Sequence, residues 1–553
     1  MLTGCEPWPE EIARSYREAG YWAGQTLGEA LRGWAARGGD RTAVVSRDRR
    51  VSYRELDEWV DRLAAGFHAR EIGAGDRVVV QLPNTPEFIA VCFALFRLGA
   101  VPVFALPAHR ASEITHLCRL TDAVAYLVPA LHRGYDHRLL ARQVRLAVPG
   151  VRQVFVAGEP GEFVALADVD AAGTALPAAS GGLAEPDPAD VAFFLLSGGT
   201  TALPKLVPRT HDDFLYQARA ASAVCGLNQD SVYLAALPAA FNFAWGCPGV
   251  LGTLHAGGTV VLARSASPDE CFTLIERERV TITSVVPTVA QLWLDAVEWN
   301  RRDLSSLRVL QIGGAKLHRE LAERVQPALG CRLQQVLGMA EGLICFTRED
   351  YSAEEVLTTQ GHPLSPADEI RVVDEHGRDA PDGELGELLT RGPYTIRGYY
   401  RAPEHNATAF TEDGFYRTGD LVRRTAAGRI VVDGRIKDLV NRCGEKVSAS
   451  EVEGHLLAHP RVAQAAVVPA PHPELGEQIC AFVVPSGEAP SLVELRRLLL
   501  DRGLAAYKLP DRLDVVVALP VTGLGKVDKK VLAADALRRV EADQTTDAAR
   551  PVH

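Results

Sequence analysis

Short apolar runs alternate with helix-patterned stretches through more than half of this chain, and that alternation leaves few folds open. Arg77-Val78-Val79-Val80-Gln81-Leu82 follows Gly75-Asp76 and reads as a strand. Residues 87–98 are helical in pattern, and Ala100-Val101-Pro102-Val103 is the next strand. The same beat recurs at 124–128, 259–262 and 281–286. Tyr53-Arg54-Glu55-Leu56 opens an amphipathic helix with Ser52 as its N-cap. Strand–helix–strand alternation implies an α/β fold, with parallel sheets covered by helices on both faces. At 553 residues the chain exceeds one ordinary domain. The expected layout is a large N-terminal domain over 1–433, made of two parallel-type α/β subdomains and a β-rich, barrel-like module from about 360 to 433. There the runs shorten and Gly, Pro and Asp turns separate them. A small α+β unit follows over 438–540, with helices at 451–457 and 492–502 and strands at 464–468 and 479–484. Residues 171–184 read as an Ala/Gly-rich linker, and the polar end, 541–553, reads as a disordered tail.

Composition removes several function classes. A net charge of -11 argues against a nucleic-acid partner and against an anionic membrane surface. No uncharged apolar run approaches the roughly 18 residues of a spanning helix. The N-terminal stretch carries early acids and no apolar core, so no secretory leader is expected. The ten cysteines are scattered without a C-x-x-C pair, which suggests neither zinc nor disulfides. A cytoplasmic protein with reduced thiols is the simplest reading.

Five segments carry chemistry. The apolar run Val191-Ala192-Phe193-Phe194-Leu195-Leu196 empties into Ser197-Gly198-Gly199-Thr200-Thr201-Ala202-Leu203-Pro204-Lys205. Glycines let backbone N–H groups turn inward on a phosphate, and hydroxyls add donors. The spacing is not that of a Walker A loop. Gln311-Ile312-Gly313-Gly314-Ala315 is an apolar strand ending in two glycines, which lets a flat ring approach the backbone. Leu337-Gly338-Met339-Ala340-Glu341-Gly342 sets a lone acid at a strand end, where it can hold Mg²⁺. Tyr416-Arg417-Thr418-Gly419-Asp420 and Asp433-Gly434-Arg435 offer a carboxylate for two ribose hydroxyls. Val521-Thr522-Gly523-Leu524-Gly525-Lys526 puts a lysine at the tip of a Gly-rich loop. Each has a plainer reading, as a tight turn, a solvated carboxylate or a surface lysine. Together, in this order, they leave those readings behind.

The set resembles the adenylate-forming superfamily of acyl-CoA synthetases, nonribosomal peptide adenylation domains and luciferases, from about Trp22 to Lys530. Pro208-Arg209-Thr210-His211-Asp212-Asp213, Gly338-Met339-Ala340-Glu341-Gly342 and Asn441-Arg442-Cys443-Gly444-Glu445-Lys446 are similar to the motifs of stand-alone aryl-acid adenylating enzymes, the 2,3-dihydroxybenzoate- and salicylate-AMP ligases of siderophore pathways. The resemblance implies a two-step reaction. A carboxylate attacks the α-phosphorus of ATP to give an acyl adenylate and pyrophosphate, then a thiol captures the acyl group. It implies Lys526, Lys205 and Glu341 as catalytic residues, with Glu341 on Mg²⁺. ATP and AMP would meet Ser197, Gly198, Gly199, Thr200, Thr201, Gly314, Ala315, Leu337, Gly338, Met339, Ala340, Asp420 and Arg435. The small C-terminal domain would swing on a hinge at 434–437, with Lys437 at its pivot, and bring Gly444, Glu445 and Lys446 to a thiol tunnel. No phosphopantetheine-bearing domain follows Lys530, so the acceptor would be a separate aryl carrier protein, or coenzyme A as the alternative.

The resemblance also places an acid pocket on Phe241, Asn242, Phe243, Cys247, Gly313, Gly314, Val336, Ala340 and Ile344. Asn242 stands where these enzymes meet the ortho-hydroxyl of the ring; a buried structural asparagine is the plainer reading. Cys247 replaces a usual serine and Ile344 a usual valine, which makes the far wall more apolar and disfavours a second ring hydroxyl. The expectation is therefore a salicylate-like acid. Phe241 replaces a usual histidine, and Trp245-Gly246 differs from the usual pair; a glycine there leaves room for a bicyclic acid, so a 3-hydroxypicolinate- or hydroxyquinaldate-like substrate stays open. Ala202 and Cys443 stand where glycine is common. A catalytically silent adenylate-binding protein is the alternative from another class.

Overall fold

The computed structural model describes residues 1–47, 49–174, 186–197, 203–443 and 445–548. Among them, nine strands form one sheet and seven form a second. The centre of the first is parallel, running Arg332–Met339, Val309–Gly313, Ile282–Val285, Val232–Ala235 and Thr259–Leu262 side by side. Gly342–Phe346 and Arg49–Ser52 pair with it antiparallel towards its two edges. The second sheet centres on Val101–Phe104, Arg77–Val80 and Ala125–Pro129, all parallel. Its strand Val191–Leu196 returns antiparallel as Leu206–Thr210. The phosphate-loop candidate thus connects two paired strands, and its residues 198–202 lie outside the described residues.

One helix, Pro86–Leu98, shows why the two sheets pack as they do. It is apolar all round, and nearly all of its residues are buried. A helix with no polar stripe must be covered on every side. Phe88 and Phe93 meet Trp245 from the first sheet's side, and Phe88 meets Phe104 of the second sheet. Its one buried cation, Arg97, pairs with Asp57 and with Asp61. The helix Tyr53–His68 begins in a capping box of Ser52 and Glu55, as the sequence predicts.

The β-rich module is a four-stranded antiparallel sheet, Glu369–Val373, Gly386–Arg391, Tyr416–Arg424 and Ile430–Arg435. Beyond it a five-stranded sheet carries the helices Ala449–Leu457, Leu492–Asp501 and Lys529–Ala548. The expected tail is corrected by the last of these. Residues 541–548 continue a helix, because no Gly or Pro interrupts them and Leu532, Ala536 and Val540 anchor the preceding turns in a core. The start of the expected linker, residues 171–174, instead ends the helix Leu166–Thr174, and residues 175–185 and 549–553 lie outside the described residues.

Candidate active site

Open α/β sheets bind ligands beyond the carboxyl ends of their parallel strands. The strand Val309–Gly313 ends here beside Val336, with which Gly313 is in register. A Cβ on Gly313 would lie 2.5 Å from the Val336 carbonyl oxygen, so only glycine fits. The next residue, Gly314, has φ +82, and a Cβ there would meet Lys526 Cε at 3.2 Å. A lysine from the far end of the chain therefore lies across the glycine strand end.

The local structure explains how Lys526 gets there. Thr522 N–H donates to the Lys526 carbonyl at 2.7 Å and Gly525 takes φ +77, closing a tight turn. The Thr288 hydroxyl donates to the Gly525 carbonyl and pins that turn to the N-terminal part. Lys526 Nζ sits 5.6 Å from the Phe241 ring centre, within cation–π range. Burial and then Arg435 lower its pKa to about 8, against the opposing pull of Asp420 and Glu341.

Those partners form the rest of the polar rim. Asp420 and Arg435 are register partners on adjacent strands, and Arg435 Nε lies 2.7 Å from Asp420 Oδ1. Burial raises the Asp420 pKa, and Arg435 opposes that shift. Its second oxygen, Oδ2, is buried with no hydrogen-bond partner among the described residues. An orphaned carboxylate oxygen is what a ribose hydroxyl would satisfy. Glu341 sits in the turn between Arg332–Met339 and Gly342–Phe346, and its Oε1 accepts from the Tyr399 hydroxyl at 2.7 Å. Tyr399 also lies 5.7 Å beneath Lys205 Nζ and shares a 2.9 Å hydroxyl contact with Tyr416. Ser197 and Lys205 close the hairpin base, Ser197 N–H donating to the Lys205 carbonyl at 3.0 Å. Among the described residues no cluster of three or more His, Cys, Asp or Glu could hold a metal. A magnesium ion here would rest on the single carboxylate of Glu341 with phosphate and water oxygens, which suits that ion.

Two family models match the chain, "AMP-binding enzyme" over residues 31–400 and "AMP-binding enzyme C-terminal domain" over 451–526. The chain belongs to the AMP-binding enzyme family. It is 57% identical over 96% of its length to a 2,3-dihydroxybenzoate-AMP ligase of Bacillus subtilis, of which it covers 97%. It is 48% identical over 96% of its length to a salicyl-AMP ligase / salicyl-S-ArCP synthetase of Mycobacterium tuberculosis, of which it covers 94%. Among solved structures, the apo form of Mycobacterium smegmatis MbtA matches with a TM-score of 0.75 at 48% identity, covering 96% of this chain and 98% of that one.

In this AMP-binding enzyme several of the residues expected to line an acid pocket lie together, while Ala340 packs on the main core. Phe243, Cys247, Val336 and Ile344 belong to one apolar cluster with Val286 and Phe346, and Phe241 packs on its edge. Asn242 is buried beside them, its Nδ2 donating to the Met339 carbonyl at 3.1 Å. Cys247 Sγ donates to the Asn242 carbonyl at 3.5 Å, and burial pushes its pKa up. Leu337, Met339 and Ala340 are half-buried along the turn, and Gly338 and Ala315 are exposed.

One expectation fails at Trp245-Gly246, that the glycine there leaves room for a bicyclic acid. Trp245 is fully buried and points into the main core, against Phe88, Phe93 and Phe104, not into the acid pocket. Gly246 opens no room for a bicyclic acid, because a Cβ there would lie 2.6 Å from Phe214 Cζ; the neighbouring ring already occupies the space. At the other end, Lys437 occupies a 3-10 turn, Ile436–Asp438, and burial lowers its pKa. Lys446 is exposed and pairs with Glu375 of the β-rich module at 3.1 Å, and Glu445 is exposed beside it, so the site does not contain this loop in the present orientation. Gly198, Gly199, Thr200, Thr201, Ala202 and Gly444 lie outside the described residues. Sequence reasoning gave no role to Tyr399, Arg209, Gln217 or Thr288. The i,i+4 pairing of Arg209 with Asp213 was the one local signal among them.

Proposed function

We propose that this enzyme activates an ortho-hydroxy aromatic acid, salicylate before others, as its acyl adenylate, and then passes the acyl group to the phosphopantetheine thiol of a separate aryl carrier protein in siderophore or peptide assembly. The observation that carries the reading is the placement of Lys526 between the apolar pocket edge at Phe241 and the Asp420–Arg435 pair. An acid carboxylate and the α-phosphate are both anions, and one ammonium between them offsets the repulsion of bringing them together. The carboxylate oxygen bonds to the α-phosphorus and pyrophosphate leaves with the P–O bonding electrons. Lys205 and the Ser197 hairpin would hold the departing β- and γ-phosphates, and Asp420 with Arg435 the ribose. Glu341 would hold Mg²⁺, which when bound neutralises phosphate charge. Tyr399 fixes the Glu341 carboxylate through Oε1.

Salicylate is favoured over a dihydroxybenzoate by the far wall. Cys247 is closed from solvent and its thiol proton is already given to the Asn242 carbonyl. A second ring hydroxyl would find no partner beside Ile344. For the second step the C-terminal unit would turn about Lys437, withdraw Lys526 and bring Glu445 and Lys446 to the thiol. The free cysteines fit a cytoplasmic enzyme.

The test is ATP–pyrophosphate exchange with salicylate, 2,3-dihydroxybenzoate, 3-hydroxypicolinate and a hydroxyquinaldate. Salicylate should give the highest kcat/KM. No exchange with any aryl acid would favour a silent adenylate binder. Loading of a phosphopantetheinylated carrier against loading of coenzyme A then identifies the acceptor.

A further inference from the structure

Arg209 is fully buried, yet every arm of its guanidinium is used. Nε donates to Asp213 Oδ1 at 2.9 Å and Nη1 to the Ala340 carbonyl at 3.0 Å. Nη2 donates to Gln217 Oε1 at 2.9 Å and to the Tyr394 carbonyl at 3.2 Å. A guanidinium has donors and no acceptor, so the oxygen of Gln217, not its nitrogen, must face it. Gln217 is itself fully buried in the helix His211–Val224. Its Nε2 is thereby turned to Asn242 Oδ1 at 3.4 Å, the Gly246 carbonyl at 3.1 Å and Cys247 Sγ at 3.7 Å.

The polarity passes on to Asn242. Its Oδ1 faces a donor, and its Nδ2 faces the Met339 carbonyl at 3.1 Å. Flipping the amide would set nitrogen against nitrogen at one end and oxygen against oxygen at the other. A primary amide has two hydrogens, and one of those on Asn242 meets no acceptor among the described residues. The buried side chain is left with one N–H to give, while its Oδ1 is turned towards the Gln217 donor.

We propose that Arg209 and Gln217 are positioning residues that set the polarity of the acid pocket, fixing Asn242 as a hydrogen-bond donor so that the enzyme selects acids whose ortho group accepts a hydrogen bond. The inference rests on the aryl-acid reading above and deepens it. A phenolic oxygen or a ring nitrogen meets the demand. An ortho-amino group does not, because its lone pair is delocalised into the ring and it offers only N–H. Because the same guanidinium also holds the Ala340 carbonyl, the pocket polarity and the turn bearing Glu341 share one anchor.

The experiment measures kcat/KM by pyrophosphate exchange for salicylate, picolinate, anthranilate and benzoate, with benzoate as the reference that lacks an ortho group. In the wild type both acceptor-bearing acids should exceed anthranilate, salicylate by roughly 10- to 100-fold, the range for one buried hydrogen bond made or lost. Gln217→Glu keeps shape but turns oxygen towards Asn242, and should cut the salicylate-to-anthranilate ratio by about 10-fold or more. Gln217→Met removes the donor, lets the Asn242 amide turn, and should also lower that ratio. A wild type that uses anthranilate as well as salicylate overturns the relay, whatever the variants do. So does a pair of variants that lower all four acids by one common factor, the mark of a merely structural role. A wild type that activates no aryl acid overturns the function reading, and the relay with it.

Discussion

Around the acid pocket each buried amide is held at both ends, by Arg209, Gln217 and the Met339 carbonyl. Around the nucleotide site, Asp420 Oδ2 is buried without a partner among the described residues, and Lys526 is only half-buried with a pKa near 8. The first region is assembled from residues before Tyr394 and is largely apolar. The second is charged, and draws one lysine from the last tenth of the chain across a seam that is largely polar. That seam joins the Thr288 hydroxyl to the Gly525 carbonyl, Lys316 Nζ to the Asp433 carbonyl at 3.4 Å and Lys446 to Glu375. Exposed pairs of the Lys446–Glu375 kind are screened by solvent and contribute little. On the proposed reading, selectivity for the acid is built into the packed region, and nucleotide chemistry is completed by a C-terminal unit held across a polar seam.

The comparison breaks most visibly at Lys526. Lys526→Ala should lower pyrophosphate exchange by roughly 100-fold or more, the scale for one charge-stabilising group at a reacting phosphate. Thiol capture from a preformed adenylate should survive, since Lys526 would have withdrawn by then. Single-turnover transfer from chemically made salicyl-AMP checks this. Equal loss in both steps would show that the lysine serves the whole site and that the two regions do not divide the work as argued. A smaller effect is expected at Asp420→Asn. The ribose loses one charged acceptor and Arg435 its partner, so KM for ATP should rise about 10-fold or more while the acid preference stays fixed. A shifted acid preference would erase the boundary between the regions.

pH sharpens the same boundary. The ammonium form of Lys526 is the one that can bridge two anions. Its pKa is lowered to about 8, so the reactive form dominates below pH 8 and is lost as pH rises through that value. The kcat/KM for adenylation should therefore fall above about pH 8 along a one-proton limb, and Lys526→Arg should move that limb upward. A limb that stays in place in Lys526→Arg would belong to another group.

Most of the architecture was legible because periodicity reports burial. The apolar runs at 77–82 and 259–262 became strands, and Gly313-Gly314 marked a strand end where no Cβ fits. What stayed hidden is partnership at long range. Nothing near Gln217 announces Asn242 or Cys247, and nothing near Glu341 announces Tyr399. Trp245-Gly246 misled for a related reason. In the short helix Asn242–Gly246, successive residues point about 100° apart, so position in a pocket motif does not decide direction. Gly246→Ala tests this reading. Overpacking against Phe214 should cost about 1–3 kcal/mol of stability, seen as a lower thermal midpoint. The ratio of salicylate to 3-hydroxypicolinate activity should hold, and a change in it would return Gly246 to the pocket wall.

The smallest effect is expected at Cys443, in the loop that would swing towards the thiol. It has φ +53, left-handed backbone that a cysteine tolerates poorly, and it is exposed, so its side chain contributes no core packing. Two opposing terms decide the sign of Cys443→Gly. Relief of left-handed strain favours the variant by about 1–2 kcal/mol, and the added freedom of glycine in the unfolded chain opposes it by about 0.4–1 kcal/mol. The Cys443 N–H donation to the Leu475 carbonyl at 2.8 Å survives the change. The variant should therefore be slightly more stable, with a higher thermal midpoint and unchanged pyrophosphate exchange, because in this orientation Lys446 of the loop pairs with Glu375 of the β-rich module. A drop in exchange would mean that the loop reaches the nucleotide side during adenylation, against the division of work proposed above.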